Sequence, residues 1–196
     1  MQVSWMGEAG IRLQSKDTVV LIDPPVAISG LKPTRQSAQL VAVTEKTGRD
    51  WSSVGGDPFV VDIPGEFEKD NVFVYGLSLP SEAGKVHFRI EFEDLSIGHV
   101  GDLSHPIENG ELSQLEGVDI LIVPVGGKTV LTAEQAADLI HQVEPRLVIP
   151  IQFQASGLKS SYSSIEPFLK AFGAKTSDVQ DKLKITKKEL PADETQ

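Results

Sequence analysis

The run Val41-Ala42-Val43-Thr44-Glu45-Lys46-Thr47-Gly48-Arg49-Asp50 passes abruptly from a buried strand into a loop of ionisable and hydroxyl side chains. A strand that opens into a polar loop is a usual seat of catalytic groups, because the strand fixes the loop while the loop meets solvent. What this loop offers is two carboxylates, a Lys and an Arg, with no imidazole. The whole chain has 4 His (His87, His99, His105 and His141) and no Cys. Disulfides, zinc ribbons, iron–sulfur clusters and a thiolate nucleophile are therefore excluded. There is no Gly-x-Gly-x-x-Gly, no phosphate loop and no Gly-x-Ser-x-Gly nucleophile elbow. Carboxylates are left as the raw material for chemistry.

The elements that must carry these groups come in two kinds. In the first half, Val3 to Met6, Ile11 to Leu13 and Thr18 to Asp23 read as short strands, with turns at Gly7, Gly10 and Lys16-Asp17 between them. An irregular loop over 26–38 follows, then strands at 39–44, 58–62, 72–77, 86–92 and 94–99. In the second half, Asp119 to Val123 and Leu147 to Ile151 are apolar, β-branched runs expected to be buried on both faces. Between them Thr132-Ala133-Glu134-Gln135 is a capping box, and Ala136, Leu139, Ile140 and Val143 form one apolar stripe that ends before Pro145. A second amphipathic helix is predicted over 164–172, with Ile165, Phe168, Leu169 and Phe172 inward and Gly173 past its end. Leu183-Lys184-Ile185 reads as a last strand. The reading is one domain over 1–186, followed by a disordered polar tail over 187–196.

Composition narrows the partners. The chain has 196 residues, enough for a substantial core, with 18 Lys plus Arg against 28 Asp plus Glu and a formal net charge of -10. Nucleic acid and anionic membrane surfaces want a basic patch, so neither is expected as a partner. Met1 to Trp5 lacks a basic start and an apolar run of signal-peptide length, and the longest apolar runs are strand-sized. A cytoplasmic protein is expected.

Several segments together resemble metallo-β-lactamase-fold hydrolases, in the branch related to ascorbate-6-phosphate lactonase. They are "WMGEAGIRL" at 5–13, "VLIDP" at 20–24, "IPGEFE" at 63–68, "GHVGDLSHP" at 98–106 and "DILIVPVGGKTVLTAEQAADLIHQVEPRLVIPIQF" at 119–153. They occur in the family's order and span about residues 2 to 154. The resemblance implies an α+β fold, a metallo-β-lactamase-type αββα four-layer sandwich with a zinc site at the sheet edges. It also implies His-x-His-x-Asp-His after a strand, a further His, the Asp of Gly-Asp and a last His. In this chain Glu45, Lys46, Thr47, Gly48, Arg49 and Asp50 fill the first motif. No His occurs near Leu79-Pro80-Ser81, Gln152 replaces the last His, and Glu8 stands for the His of the opening Gly-His. Asp102 alone keeps a usual ligand type.

Zinc wants imidazole or thiolate and, for hydrolysis, about three protein ligands plus an open position. Zinc is thus the family's cofactor with its ligands missing here, and no cofactor is expected. The vestigial-site candidates are Glu8, Glu45, Thr47, Arg49, Asp50, Asp102 and Gln152. Arg49 is either a substitute cation that holds Asp102, Glu45, Asp50 and Glu8 together, or an exposed Arg on a solvated loop. Asp102 is either a site residue or a turn residue. Glu66 is expected to brace a turn at Gly65, Gly126-Gly127 either admits a ligand or makes a tight turn, and His87 is read as an ordinary strand position. Two functions stand: a pseudoenzyme that binds an unidentified small molecule or protein, or a hydrolase rebuilt on carboxylates with Mg²⁺, Mn²⁺ or Ca²⁺. Catalytic residues are not identified, and homo-oligomerisation stays open.

Overall fold

The computed structural model describes residues 1–26, 29–31, 36–46, 51–52, 54–174, 180, 182–192 and 195–196. In chain order the strands are β1 (Gln2–Gly7), β2 (Gly10–Ser15), β3 (Thr18–Ile22), β4 (Leu40–Ala42), β5 (Phe59–Val61), β6 (Gly65–Lys69), β7 (Val72–Leu77), β8 (His87–Phe92) and β9 (Leu95–His99). Helix α1 (Asn109–Leu112), β10 (Ile120–Pro124), α2 (Ala133–Val143), β11 (Leu147–Ile151), α3 (Glu166–Phe172) and β12 (Leu183–Lys184) follow. The strands form two six-stranded sheets, ordered β12-β1-β2-β3-β4-β5 and β11-β10-β9-β8-β7-β6.

Period-2 patterning explains the layers. In β3, Val20 and Ile22 face the second sheet, while Val19 and Leu21 face outward. In β10, Ile120 and Ile122 face the first sheet, and Leu121 and Val123 meet the helices. Each strand is buried on both faces, so each reads as an unbroken apolar run. Parallel pairing of β3 with β4 and β4 with β5, and of β9 with β10 and β10 with β11, directs these strands' carboxyl ends one way in each sheet. The β6–β7 and β8–β9 hairpins turn at Asp70-Asn71 and Glu93-Asp94, all at positive φ, the signature of a type I′ turn.

The helices cover the outer face of the second sheet, where Ala136, Leu139, Ile140, Val143 and Phe168 pack against Leu121 and Val123. Thr132 and Gln135 make the expected capping box, and Gly173 closes α3 at φ +75. Over the first sheet the outer layer, among the described residues, is loop: Ala38, Trp51 and Val54 pack on Val19, Leu21 and Val41. No helix among the described residues is long and apolar enough to cross a membrane.

Two expectations need correction. Residues 65–69 form strand β6, with Glu66 and Glu68 exposed, so Glu66 does not brace a turn. β11 is an edge strand and only Ile151 is fully buried in it, because among the described residues only the segment ending at Gln196 pairs along its outer side. That end is packed where it is described. Lys187 reaches the buried Asp119 carboxylate, Leu190 is buried, and Gln196 exchanges backbone hydrogen bonds with Arg146 and Val148 of the β11 edge.

Candidate functional site

The carboxyl ends of β3, β4, β9 and β11 meet the β1–β2 turn at one end of the sandwich. Gln152, just after β11, is 1% exposed and sits at φ +53. Its backbone N–H donates to the Glu8 carbonyl at 3.2 Å. Its side chain is used completely: Oε1 accepts the Asp102 N–H at 2.9 Å, and Nε2 donates to Asp102 Oδ1 at 2.6 Å and to the Tyr162 hydroxyl at 3.0 Å. An amide carries one acceptor and two N–H donors, so this geometry also fixes which way round it lies. Asp102 itself is at φ +56, a strained turn that this reciprocal pair holds in place.

Gly126 makes room for the arrangement. A Cβ there would overlap the Gln152 carbonyl oxygen and crowd the Tyr162 ring. The glycine pair therefore serves backbone approach and a turn at once, with Gly127 at φ +65 accepting the turn. Gly126→Ala is expected to cost roughly 1–3 kcal/mol through overpacking, lowering the melting temperature by about 2–4 °C per kcal/mol. A thermal melt indistinguishable from the parent would show that the close approach is not needed.

A second cluster surrounds Glu82, which is 3% exposed. Its carboxylate accepts from Ser104 N at 2.6 Å, Ser104 Oγ at 2.8 Å, His105 N at 2.8 Å and Lys85 Nζ at 2.6 Å. Lys85 Nζ also donates to the Asp102 carbonyl and to Ser104 Oγ. Burial pushes the Glu82 pKa up, but the donors from Lys85, Ser104 and His105 outweigh it and hold the group at about 2. His87, on β8, is 0% exposed, and neither ring nitrogen has a hydrogen-bond partner among the described residues. Burial drives its pKa down to about 4; the charges of Glu82 and Asp102 oppose that shift, while His99 and Lys85 add to it. This imidazole is neutral at pH 7, and it is not the ordinary strand position it was expected to be.

His99 is buried and committed to backbone, with Nε2 against the Ala9 carbonyl at 3.0 Å and Nδ1 accepting from Gly101 N at 3.3 Å. Asp23, fully buried at φ +44, accepts from Thr44 N at 2.8 Å and Thr44 Oγ1 at 2.6 Å. The Thr44 carbonyl accepts from Val86 N at 2.9 Å, tying the two halves together. Among the sequence candidates, Asp102 and Gln152 meet directly and Glu8 joins them through its carbonyl. Glu45 lies half-buried just after Thr44, and Lys46 pairs with Asp62 at 3.0 Å. Thr47, Arg49 and Asp50 lie outside the described residues. Sequence reasoning missed Asp23, Glu82, Lys85, His87, Ser104 and Tyr162; only Asp23 had a signal, as the polar end of an apolar strand. No three or more His, Cys, Asp or Glu side chains among the described residues are grouped to hold a metal ion. A hollow of about 400 Å³ lined by Met1, Gln14, Lys16, Lys184 and Glu189 lies at the opposite end of β1 and β2 and holds none of the candidates.

Two mixed sheets with helices outside, and polar groups gathered where the parallel strands end, define a metallo-β-lactamase-type sandwich. Residues 2–152 match the profile of the Beta-lactamase superfamily domain, and the chain belongs to that superfamily. It is 31% identical over 72 residues to a UPF0173 protein of Pyrococcus furiosus, a stretch covering 36% of this chain and 30% of that protein. A UPF0173 metal-dependent hydrolase of Natranaerobius thermophilus is 30% identical over 66 residues, covering 34% of this chain and 30% of the relative. The matched stretch thus spans less than a third of either relative. Among solved structures, a Thermotoga maritima protein described as a Zn-dependent hydrolase of the metallo-beta-lactamase superfamily superimposes with a TM-score of 0.85 at 22% identity, covering 100% of this chain and 97% of that one. The isothiocyanate hydrolase from Delia radicum gut bacteria gives a TM-score of 0.67 at 12% identity over 95% of this chain and 100% of that one. At these identities the likeness is one of fold.

Proposed function

We propose that this chain is a metallo-β-lactamase-fold protein that acts by binding or assembly, its hydrolytic metal centre replaced by a metal-free hydrogen-bonded cluster. The observation that carries this reading is the Asp102–Gln152 pair. The residue that stands where the resemblance places the last metal-binding His, Gln152, instead donates an amide N–H to Asp102 Oδ1 at 2.6 Å and so occupies one of that carboxylate's acceptor positions. Where the resemblance implies an imidazole, Gln152 brings donors, and an amide nitrogen is not a zinc ligand. His99, which keeps both nitrogens on backbone, is no substitute. The Lys85 ammonium, paired with the Glu82 carboxylate, also donates to the Asp102 carbonyl and ties the Asp102 turn to the Glu82 cluster. The donor set therefore does not suit zinc, and without that metal no bound water is brought near neutrality as a nucleophile.

The names of the relatives favour the other reading, a metal-dependent hydrolase whose site is rebuilt on Glu8, Glu45, Asp50 and Asp102. Elemental analysis of protein purified without added metal, together with a melt in excess chelator, separates the two. The expected result is metal far below stoichiometric and an unchanged melting temperature. Retained stoichiometric zinc or manganese, with stability lost to chelator, would overturn the binding reading, since metal would then be coupled to folding.

A further inference from the structure

The exposed large hydrophobic residues among those described are Phe59 at 42%, Ile63 at 51% and Phe73 at 42%. All three lie on or beside the edge strands β5 and β6. Phe59 is on β5, the edge strand of the first sheet; Ile63 is in the connection to β6, the edge strand of the second; Phe73 is on β7 beside it. The Phe59 and Phe67 rings bridge the two edges, 6.0 Å apart and tilted 55°. An edge strand leaves backbone N–H and C=O groups unpaired along one side, and proteins protect such edges against unwanted pairing.

The pleat of β6 sorts its side chains. Phe67 lies opposite Val74 and packs on the inter-sheet core, whereas Glu66 and Glu68 lie opposite Tyr75 and Phe73 on the outer face. Lys69 is taken up by Asp70 at 3.8 Å, and neither Glu66 nor Glu68 has a cationic partner among the described residues. A second copy added antiparallel across a two-fold axis must set residues of the same face against each other, so the axis passes through a residue. Centred on Phe67, that pairing opposes Glu66 to Glu68 twice. Centred on Glu66 it opposes Glu66 to itself; centred on Glu68 it opposes Glu68 to itself and Glu66 to Asp70. Each of these registers sets acid against acid, which destabilises cross-strand pairs.

The same charges select a different occupant. We propose that the β6 edge is a docking site for an extended segment of a partner protein that adds a strand to the second sheet and alternates basic with apolar residues. Its basic residues lie beside Glu66 and Glu68, with their methylene stems over Phe73. Its apolar residues turn inward against Phe67 and Phe59. The backbone supplies the pairing and the alternation supplies the choice, as in other strand-addition complexes. This surface is separate from the Asp102–Gln152 cluster and stands whether or not that cluster is catalytic.

The probe is a fluorescent acetyl-Lys-Val-Lys-Val-Lys-Val-amide peptide, compared with an analogue of the same sequence methylated on alternate backbone nitrogens. Binding is read by anisotropy, and β6 amide protection by hydrogen exchange. The parent peptide is expected to bind and protect β6 amides, with about tenfold weaker binding to Glu68→Lys, and the methylated analogue is expected not to bind. Equal binding of both peptides, or binding without β6 protection, would reduce the effect to charge alone and overturn the proposal. A second measurement needs no peptide. In Glu68→Lys the register centred on Phe67 acquires two opposite-charge pairs, so reversible self-association should appear in sedimentation. A variant that folds yet stays monomeric at its highest soluble concentration would show that the edge is not available to an added strand.

Discussion

Gln152→Glu is expected to lose roughly 3–5 kcal/mol of stability at neutral pH, the range for an uncompensated buried charge. The substitution puts an oxygen where an N–H now donates to Asp102 Oδ1 at 2.6 Å and to Tyr162 at 3.0 Å. Two carboxylates at that separation cannot both ionise, so the pair takes up a proton with a raised pKa. The penalty therefore stands at neutral pH and shrinks as the solution is acidified towards the carboxylate range. At about 2–4 °C per kcal/mol for a chain of this size, the melting temperature should fall by about 10 °C. Gln152→Ala, which removes the amide from Asp102 without adding charge, should cost less, roughly 1–3 kcal/mol. Equal melting temperatures for Gln152→Glu and the parent at pH 7 would mean that the cluster is open to water, and the replacement argument would go with it.

Acid should weaken the fold in two successive windows. The folded pKa of His87 is about 4 against an ordinary 6.5, so between these values the unfolded chain takes a proton that the folded chain refuses. Stability is then full above about pH 6.5 and falls as pH drops towards 4, by on the order of 3 kcal/mol for one proton over that span. Glu82 is held at about 2 against an ordinary 4.5, so its contribution is present above 4.5 and fades as pH falls to 2. Denaturant titrations at several pH values measure both slopes. His87→Leu should flatten the upper window and leave the lower one, at little cost at pH 7, since an imidazole with no hydrogen bonds among the described residues gives up none of them on replacement. An unchanged slope between pH 6.5 and 4 in that variant would assign the acid sensitivity elsewhere.

The sequence exposed those parts of the fold whose residues are buried in a regular pattern. β3 and β10 sit between two apolar layers and are readable as continuous apolar runs; α2 carries its own start signal in Thr132 and Gln135. β6 was hidden because Gly-Glu-Phe-Glu-Lys on an edge buries almost nothing, and a strand that buries nothing has no hydrophobic period. The contacts made by the described residues of 187–196 were not legible for a related reason. Leu190 is the one large apolar residue in a mostly polar run, and it packs with strands far away in sequence.

At the site, the family pattern located Asp102 and Gln152 at corresponding positions but could not say that they bond each other. The Glu82 cluster was not legible at all, since its donors come from Lys85, Ser104 and His105 and converge only after β7, β8 and β9 have paired. His87 illustrates the limit from the other side. One His in an alternating strand has the same sequence signature whether it is solvated or stranded in the core.

The pairing of β1 with β12 has a consequence for how the protein is made. Gln2 and Val3 lie opposite Lys184 and Leu183, and the amino-terminal ammonium donates to the Ile185 carbonyl across a sequence separation of 184 residues. During synthesis β1 can fold back on β2 at once, yet its other side stays bare until residues 183–185 leave the ribosome. A sheet finished by so distant a contact has a high contact order and closes slowly, with a loop-closure cost met before the contact returns any stability. Until then Gln2 and Val3 offer an unpaired edge to any neighbouring nascent chain, and the short β12 hairline of two residues is what withdraws it.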